Sequence, residues 1–229
     1  KAVGSSLIIT TKAYPYVAQG AHPSNMTLAR MRENQSCVSK RSIVGMGHSV
    51  MYASPDGLIS AAGNIATLAT EKVYSRAQWQ AMKPETIHGY MHEGSYVGFY
   101  TVSGVQKGFI FNPKSLLLSD LTDVTTLTGG YANPEDDALY FIDNVSQIKQ
   151  FNAGTDSTYE WQSKQYKVGR PMNMAAARVE AESYSNITLY VYAESGLVHT
   201  QTVLNERAFR LPSGYRSNQY EVKVVGSDI

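Results

Sequence analysis

The sequence predicts an all-β fold: a partial or irregular β-propeller-like domain followed by a small antiparallel β-sandwich. Three observations predict it. Short runs of alternating apolar and polar residues recur along the chain, as strands with one buried face require. Clusters of Pro, Asp, Asn, Gly and Ser punctuate those runs as turns. Tyrosine, with 16 copies against 6 of Phe, dominates the aromatics; it favours strands, and its polar tip suits interfaces.

In chain order, residues 1–36 begin as a strand around Leu7 and Ile9, then become a loop broken by Pro15, Gly20 and Pro23. NMTLARMREN within it reads as about two turns of helix capped by Asn25, with Met26, Ala29 and Met31 on the apolar face. Over 37–62, CVSKRSIVGMGHSVMYASPDGLISAA turns to strand, with Ser49, Met51 and Ala53 opposing Val50, Tyr52 and Ser54. Pro55-Asp56-Gly57 predicts a hairpin turn in which Pro presets φ, Asp56 bonds its own backbone and Gly57 takes a positive φ. Asp56 is therefore a turn residue rather than a catalytic one. In SRAQWQAM, Ser75 is an N-cap, Gln78 completes a capping box and Pro84 follows the end, so a short helix packs on the sheet edges.

Strands return over 87–155 in IHGYMHEGSYVGFYTVSG, GFIFNPKSLLLSDL and DALYFIDNVSQIKQFNAG. YASPDGLI, FIFNPKSLL, YFIDNVSQI and YVYAESGLV share one grammar: an aromatic, a short turn, an aliphatic. The first three recur at intervals of roughly 30 to 55 residues, a spacing that suits four-stranded propeller blades. About three such units fit before residue 156, and a full ring needs more. GTDSTYE at 154–160 marks a domain edge, giving a propeller-like region over 1–156 and a C-terminal antiparallel domain over 157–229. In the latter, WQSKQYKV is a strand and Ala177, Val179 and Ala181 alternate. ITLYVYAESGLVHTQTV is a hairpin turned by Glu194-Ser195-Gly196, and YEVKVVGS closes the domain. That makes roughly five antiparallel strands, enough for a compact sandwich.

The charge is balanced, with 20 basic and 19 acidic residues, and no basic run is present, which argues against sequence-specific nucleic-acid binding. Cys37 is the single cysteine, so it forms no internal disulfide, and it is read as a buried thiol rather than a nucleophile. No apolar run has the length of a membrane-spanning helix or of a signal-peptide core. The chain opens on Lys1, and is read as processed or as a piece of something longer.

No nucleophile elbow, P-loop or dinucleotide-binding glycine motif occurs. His88 and His92, with Glu93, could share a metal on a helix, but their surroundings read as strand, which separates them. Glu135, Asp136 and Asp137 could hold Ca²⁺, though a solvated turn is the plainer reading. SPDG resembles in part the Asp-box turn of sialidase-like propellers, but departs from it at two positions. Asp120, Asp123, Glu160, Glu180 and Glu182 read as strand-edge charges rather than a catalytic pair. The sequence thus yields no catalytic, cofactor-binding or metal-binding residue, and no cofactor.

Two long stretches carry a resemblance. One runs QSCVSKRSIVGMGHSVMYASPDGLI, RAQWQAMKPETIHGYMHEGSYVGFY and GFIFNP. The other runs YEWQSKQYKVGRPMNMAAARVEA, LYVYAESGLVHTQTV and FRLPSGYRSNQYEVKVVG. Together, over about residues 10–226, they resemble a family of tailed-bacteriophage and prophage virion proteins in which a propeller-like region precedes a C-terminal β domain. Asp56-Gly57-Leu58 and Trp161-Gln162-Ser163-Lys164 are landmarks of that resemblance, and none has a catalytic role to carry over. The resemblance implies a non-catalytic structural protein of the virion tail, similar to nozzle or hub components, made in the host cytoplasm. Its implied partners are further copies in a homo-oligomeric ring, other tail proteins, and the host surface. Members usually continue past the equivalent of Val225-Gly226, which implies that this chain is a segment of a longer polypeptide whose N-terminal part supplies more blades. The alternative is a propeller that binds or cleaves host glycans. It requires aromatic platforms and acids in one concave mouth; the large platforms available are Trp79 and Trp161, with Tyr as substitute.

Overall fold

The computed structural model describes residues 1–227 except 123, 156 and 195 and the side chain of Pro23. The chain divides into two compact units, Lys1–Phe151 and Asn152–Ile229. Both are built from antiparallel sheets, and among the described residues no sheet closes into a barrel.

The first unit is a series of sheets in chain order. Sheet A holds β1 (Ala2–Val3), β2 (Ser6–Ile9), β3 (Tyr16–Gln19) and β4 (Thr27–Arg30). Sheet B holds β5 (Val44–Gly45), β6 (Val50–Ala53), β7 (Leu58–Ala62) and β8 (Ile65–Leu68). After helix α1 (Arg76–Ala81), sheet C holds β9 (His88–His92), β10 (Ser95–Val102), β11 (Val105–Phe111) and β12 (Leu118–Leu121). Sheet D holds β13 (Leu127–Asn133), β14 (Ala138–Asp143) and β15 (Ile148–Gln150). Each sheet is a simple meander, of four strands in A, B and C and three in D.

Three apolar seams join the sheets in order, because side chains of a strand alternate between its faces. Ile8 and Val17 of sheet A meet Val50, Tyr52, Ile59 and Ala61 of sheet B. Met51, Ala53 and Leu58, from the other face of B, meet Tyr96, Phe109 and Phe111 of C. Val97 and Phe99, from the other face of C, meet Leu139 and Phe141 of D. β6 is therefore buried at all four residues, so its interior reads as a continuous apolar run. The B–C seam is the heaviest: Trp79, Tyr96, Phe109 and Phe111 are fully buried there, each contributing roughly 1.5–3 kcal/mol by burial. Gly98 belongs to this seam, since a Cβ there would overlap the Phe109 ring. Its absence lets Tyr96 and Phe109 stack at 6.0 Å.

Helix α1 begins as its sequence predicts. Ser75 Oγ accepts from Gln78 N–H, and Gln78 Oε1 accepts from Ser75 N–H at 2.9 Å. Six residues are too few for an isolated helix. Trp79 holds it, fully buried and donating from Nε1 to Ser54 O at 2.8 Å.

Residues 23–30 depart from the expected helix. Pro23–Asn25 is a single 3₁₀ turn that His22 caps, and Asn25 is its third residue rather than its cap. Met26 is extended, and Thr27–Arg30 pairs with β3 through Val17↔Ala29 and Ala18↔Leu28. Pairing with the preceding strand overrides the helix preference of Met, Leu, Ala and Arg. The unit consequently holds four sheets where about three blade-like units were expected. The shared grammar also marks turns rather than blades: SPDG joins the second and third strands of its sheet, whereas NPKSLL joins the third and fourth.

The second unit has one five-stranded sheet. Its strands are β16 (Tyr159–Gln162), β17 (Tyr166–Met172), β19 (Ile187–Ala193), β20 (Gly196–Val203) and β22 (Ser217–Gly226). A ribbon of β18 (Ala176–Ala177) and β21 (Phe209–Arg210) lies with the core on one face. That core is Ile187, Leu189, Val191, Val203 and Leu211, with Val179 and Ala181 packed on it. WQSKQYKV makes two strands rather than one. Buried Ser163 breaks it, donating from its N–H to Val222 O at 2.8 Å and accepting from Val222 N–H at 2.9 Å. The β19–β20 hairpin forms as read, with Ala193 opposite Gly196; Ser195 of its turn lies outside the described residues.

Candidate functional site

The residues that the sequence singles out are used mostly in construction. SPDG closes the β6–β7 hairpin, but not by the chemistry expected of it. Ser54 Oγ, fully buried, donates to Gly57 O at 2.9 Å and accepts from the N–H groups of Asp56 and Gly57. Asp56 bonds outward instead. Its Oδ2 accepts from Gln35 Nε2 at 2.9 Å, and its Oδ1 lies 3.1 Å from Arg76 Nε, an ion pair not aligned for a hydrogen bond. Asp56 thus ties the turn to the segment before sheet B and to α1. Gly57 has no positive φ; glycine is needed because a Cβ would overlap Thr70 Oγ1 and Leu68 Cδ1. Thr70 Oγ1 comes so close because it accepts from Leu58 N–H at 3.0 Å.

The word SKRS is a junction of sheets. Ser39 Oγ donates to Ile87 O at 2.6 Å, just ahead of β9. Ser42 Oγ accepts from Ala53 N–H on β6 at 2.8 Å, and Ser42 O accepts from the buried Tyr96 hydroxyl on β10 at 2.9 Å. Arg41 donates to Thr128 O on β13 at 2.8 Å. One 3₁₀ turn, Lys40–Ser42, therefore fastens parts of sheets B, C and D. Burial pushes the Tyr96 hydroxyl pKa well up, so it stays a neutral donor. Cys37, beside this junction, is buried and its thiol pKa is raised by that burial, which suits a core thiol and not a nucleophile.

The histidine pair lies on β9, where residues four apart are about 13 Å apart. His88 is buried at the C–D seam; His92 packs edge-on against Phe151 at 5.3 Å. Among the described residues, no group of three His, Cys, Asp or Glu is arranged to hold a metal. In the acidic turn, Asp136 Oδ1 accepts from Ala138 N–H at 3.0 Å and Oδ2 from the Tyr140 hydroxyl at 2.9 Å. Those bonds hold its pKa below the usual range and engage both oxygens within the hairpin.

The other acids are dispersed. Asp120 accepts from the Tyr74 hydroxyl at 3.4 Å, Glu160 pairs with Lys223 at 2.7 Å, Glu180 pairs with Arg178, and Glu182 is exposed. Asp123 lies outside the described residues. Of the two tryptophans, Trp79 is core and Trp161 is 53% exposed on β16. An open cleft of about 320 Å³ lies along His48, Ser60, Thr67, Lys72, Pro113 and Lys114. Its described lining holds no Trp, Tyr or Phe, the platforms on which a sugar ring stacks.

What the first unit does present is two sheet faces. Opposite its seam with B, sheet A carries rows of aligned residues: Leu7, Ala18 and Leu28, then Ile9, Tyr16 and Arg30. Leu28 is 64% exposed. Arg30 Cζ lies over the Tyr14 ring, 3.3 Å from its centroid, which adds a cation–π contact at the edge of this face. Opposite its seam with C, sheet D aligns Tyr131 with Tyr140 and Ile142 with Ile148. Tyr131 is 61% and Ile148 74% exposed. Alternation within each strand could have flagged these faces, but only once the strands were correctly placed. No protein-family model matches the chain, and comparison with curated proteins finds no match.

Proposed function

We propose that the protein is a non-catalytic structural component of a bacteriophage tail, and that it assembles with further copies of itself through the outer faces of sheets A and D. The observation that carries this reading is the pair of apolar faces that, among the described residues of the first unit, have no partner sheet within that unit. Inside the first unit, every seam sets a row of aliphatic and aromatic residues from one sheet against another such row. Leu7, Ile9 and Leu28 on one side, and Tyr131, Ile142 and Ile148 on the other, are two half-seams of the same chemistry. Contiguous apolar faces on a water-exposed surface mark interaction sites. Sheet A of one copy against sheet D of the next is a head-to-tail contact, which generates a ring when its rotation closes. The tail assignment itself rests on the resemblance of the long sequence words, and the junction that SKRS makes is consistent with their having a constructional role.

The test is light scattering of the purified chain over a range of concentrations, alone and with neighbouring tail proteins. The expected result is a discrete oligomer that Leu28→Asp or Ile148→Asp disperses, while the dispersed chain still unfolds cooperatively and loses no more stability than the lost association accounts for. A wild-type chain that stays monomeric in both settings would refute the reading. Selective binding on a glycan array by that monomer would replace it with the glycan-binding alternative.

A further inference from the structure

Sheet D is held to sheet C by a polar relay whose protons can be assigned. Leu127 N–H, at the start of β13, donates to Gln106 Oε1 at 2.5 Å. A backbone N–H only donates, so this bond fixes which end of the Gln106 amide is which. Gln106 Nε2 then donates twice, to Leu127 O at 3.3 Å and to His88 Nε2 at 3.0 Å. His88 Nε2 must accept, so the ring is neutral and carries its proton on Nδ1, 3.2 Å from the Tyr90 hydroxyl.

We propose that the His88–Gln106–Leu127 relay is an acid-sensitive latch, and that protonation of His88 loosens sheet D from sheet C. A proton taken from solvent onto Nε2 would point an N–H at the Gln106 amide N–H₂, two donors facing each other. Flipping the amide satisfies His88 but turns the N–H₂ onto Leu127 N–H, so neither orientation satisfies both ends. Among the described residues no carboxylate is bonded to the His88 ring, and the charge that acts on it is that of Arg41. Arg41, from the 3₁₀ turn, adds a like charge; Tyr90 of β9, Phe99 of β10 and Gln106 of β11 are uncharged. Sheet D's charged pair on its inner face, Asp143 and Lys149, is engaged with itself at 3.0 Å. Burial first, and Arg41 second, hold the His88 pKa down to about 4 from 6.5.

The sign follows. Above pH 6.5 the ring is neutral in both the closed and the opened seam. As the pH falls from 6.5 towards 4, only the opened seam takes up the proton. Opening is then favoured by up to roughly tenfold per pH unit. The experiment is amide hydrogen exchange of the full chain at pH 7, 5.5 and 4, corrected for intrinsic rates. Leu127 and the strands of sheet D are expected to lose protection relative to sheet B, and His88→Gln, which cannot titrate, is expected to abolish that pH dependence. Flat Leu127 protection in the wild type, parallel loss in sheets B and D, or an unaltered acid response in His88→Gln would each overturn the latch. Should that variant misfold, ¹⁵N titration of the wild-type ring decides the matter. A proton on Nδ1 at pH 7 and titration well below 6.5 support the latch; the other tautomer, or titration near 6.5, refutes it.

Discussion

Replacing Ser54 by Ala is expected to destabilise the first unit more than replacing Asp56, although Asp56 looks like the turn residue. Ser54→Ala removes one hydroxyl bond to Gly57 O, about 1 kcal/mol, and withdraws the acceptor of two backbone N–H groups, about 1 kcal/mol or more for each. Gly57 O keeps its bond from Ser54 N–H at 2.8 Å, so the carbonyl is not orphaned. The sum is about 3–4 kcal/mol. Asp56→Ala removes the Gln35 bond, about 1 kcal/mol, and an ion pair whose Arg76 partner is 74% exposed, worth about 0–1 kcal/mol. That gives about 1–2 kcal/mol, and Asp56→Asn, which still accepts from Gln35, costs less. At roughly 3 °C per kcal/mol for a unit of this size, Ser54→Ala lowers Tm by about 9–12 °C and Asp56→Ala by about 3–6 °C. The assay is thermal and urea unfolding followed by Trp79 fluorescence, in a Trp161→Phe background so that one unit reports. An Asp56→Ala loss equal to or larger than that of Ser54→Ala would refute this account of the turn.

Gly57→Ala should cost about 1–3 kcal/mol by overpacking, despite an ordinary φ, because Thr70 and Leu68 must move; a neutral result in the same unfolding assay would show that they yield. Cys37 should resist iodoacetamide in the folded chain and react once unfolded, and rapid native labelling would contradict its burial. The Asp143 carboxyl is held below its ordinary 3.8, first by Gln147 N–H and then by Lys149. Its contribution is therefore present above that pH and lost as the pH falls through the depressed value. Asp143→Asn should remove the part of sheet D's acid sensitivity that lies below pH 4, where exchange measurements would detect it, and leave the response between 6.5 and 4 intact.

Local signals were legible and distant ones were not. The α1 capping box, the β6–β7 hairpin and the β19–β20 hairpin rest on residues within a few positions of one another, and each forms where its sequence places it. β4 was not legible, because Thr27–Arg30 becomes strand only by pairing with β3. The role of Gly57 was misread for a related reason: the atoms that forbid a side chain belong to Leu68 and Thr70, beyond the next strand. Period-two alternation identifies both faces of β6 but cannot say that Met51 meets sheet C while Tyr52 meets sheet A. The outer faces of sheets A and D look in sequence like any other buried face. What distinguishes them is that, among the described residues of the first unit, no row of that unit faces them, and that is a property of the assembled stack.

Sheets A to D contact one another in sequence order, and this arrangement has an energetic consequence. The seams form a one-dimensional chain of nearest-neighbour couplings, as in repeat proteins. B and C are each coupled twice, A and D once. Thermal fraying should therefore begin at the two ends and reach the middle last, so that local stability is graded along the polypeptide. A substitution at one seam should weaken the two sheets that share it and fade beyond them. A sheet docked on either end would convert a singly coupled terminus into a doubly coupled interior.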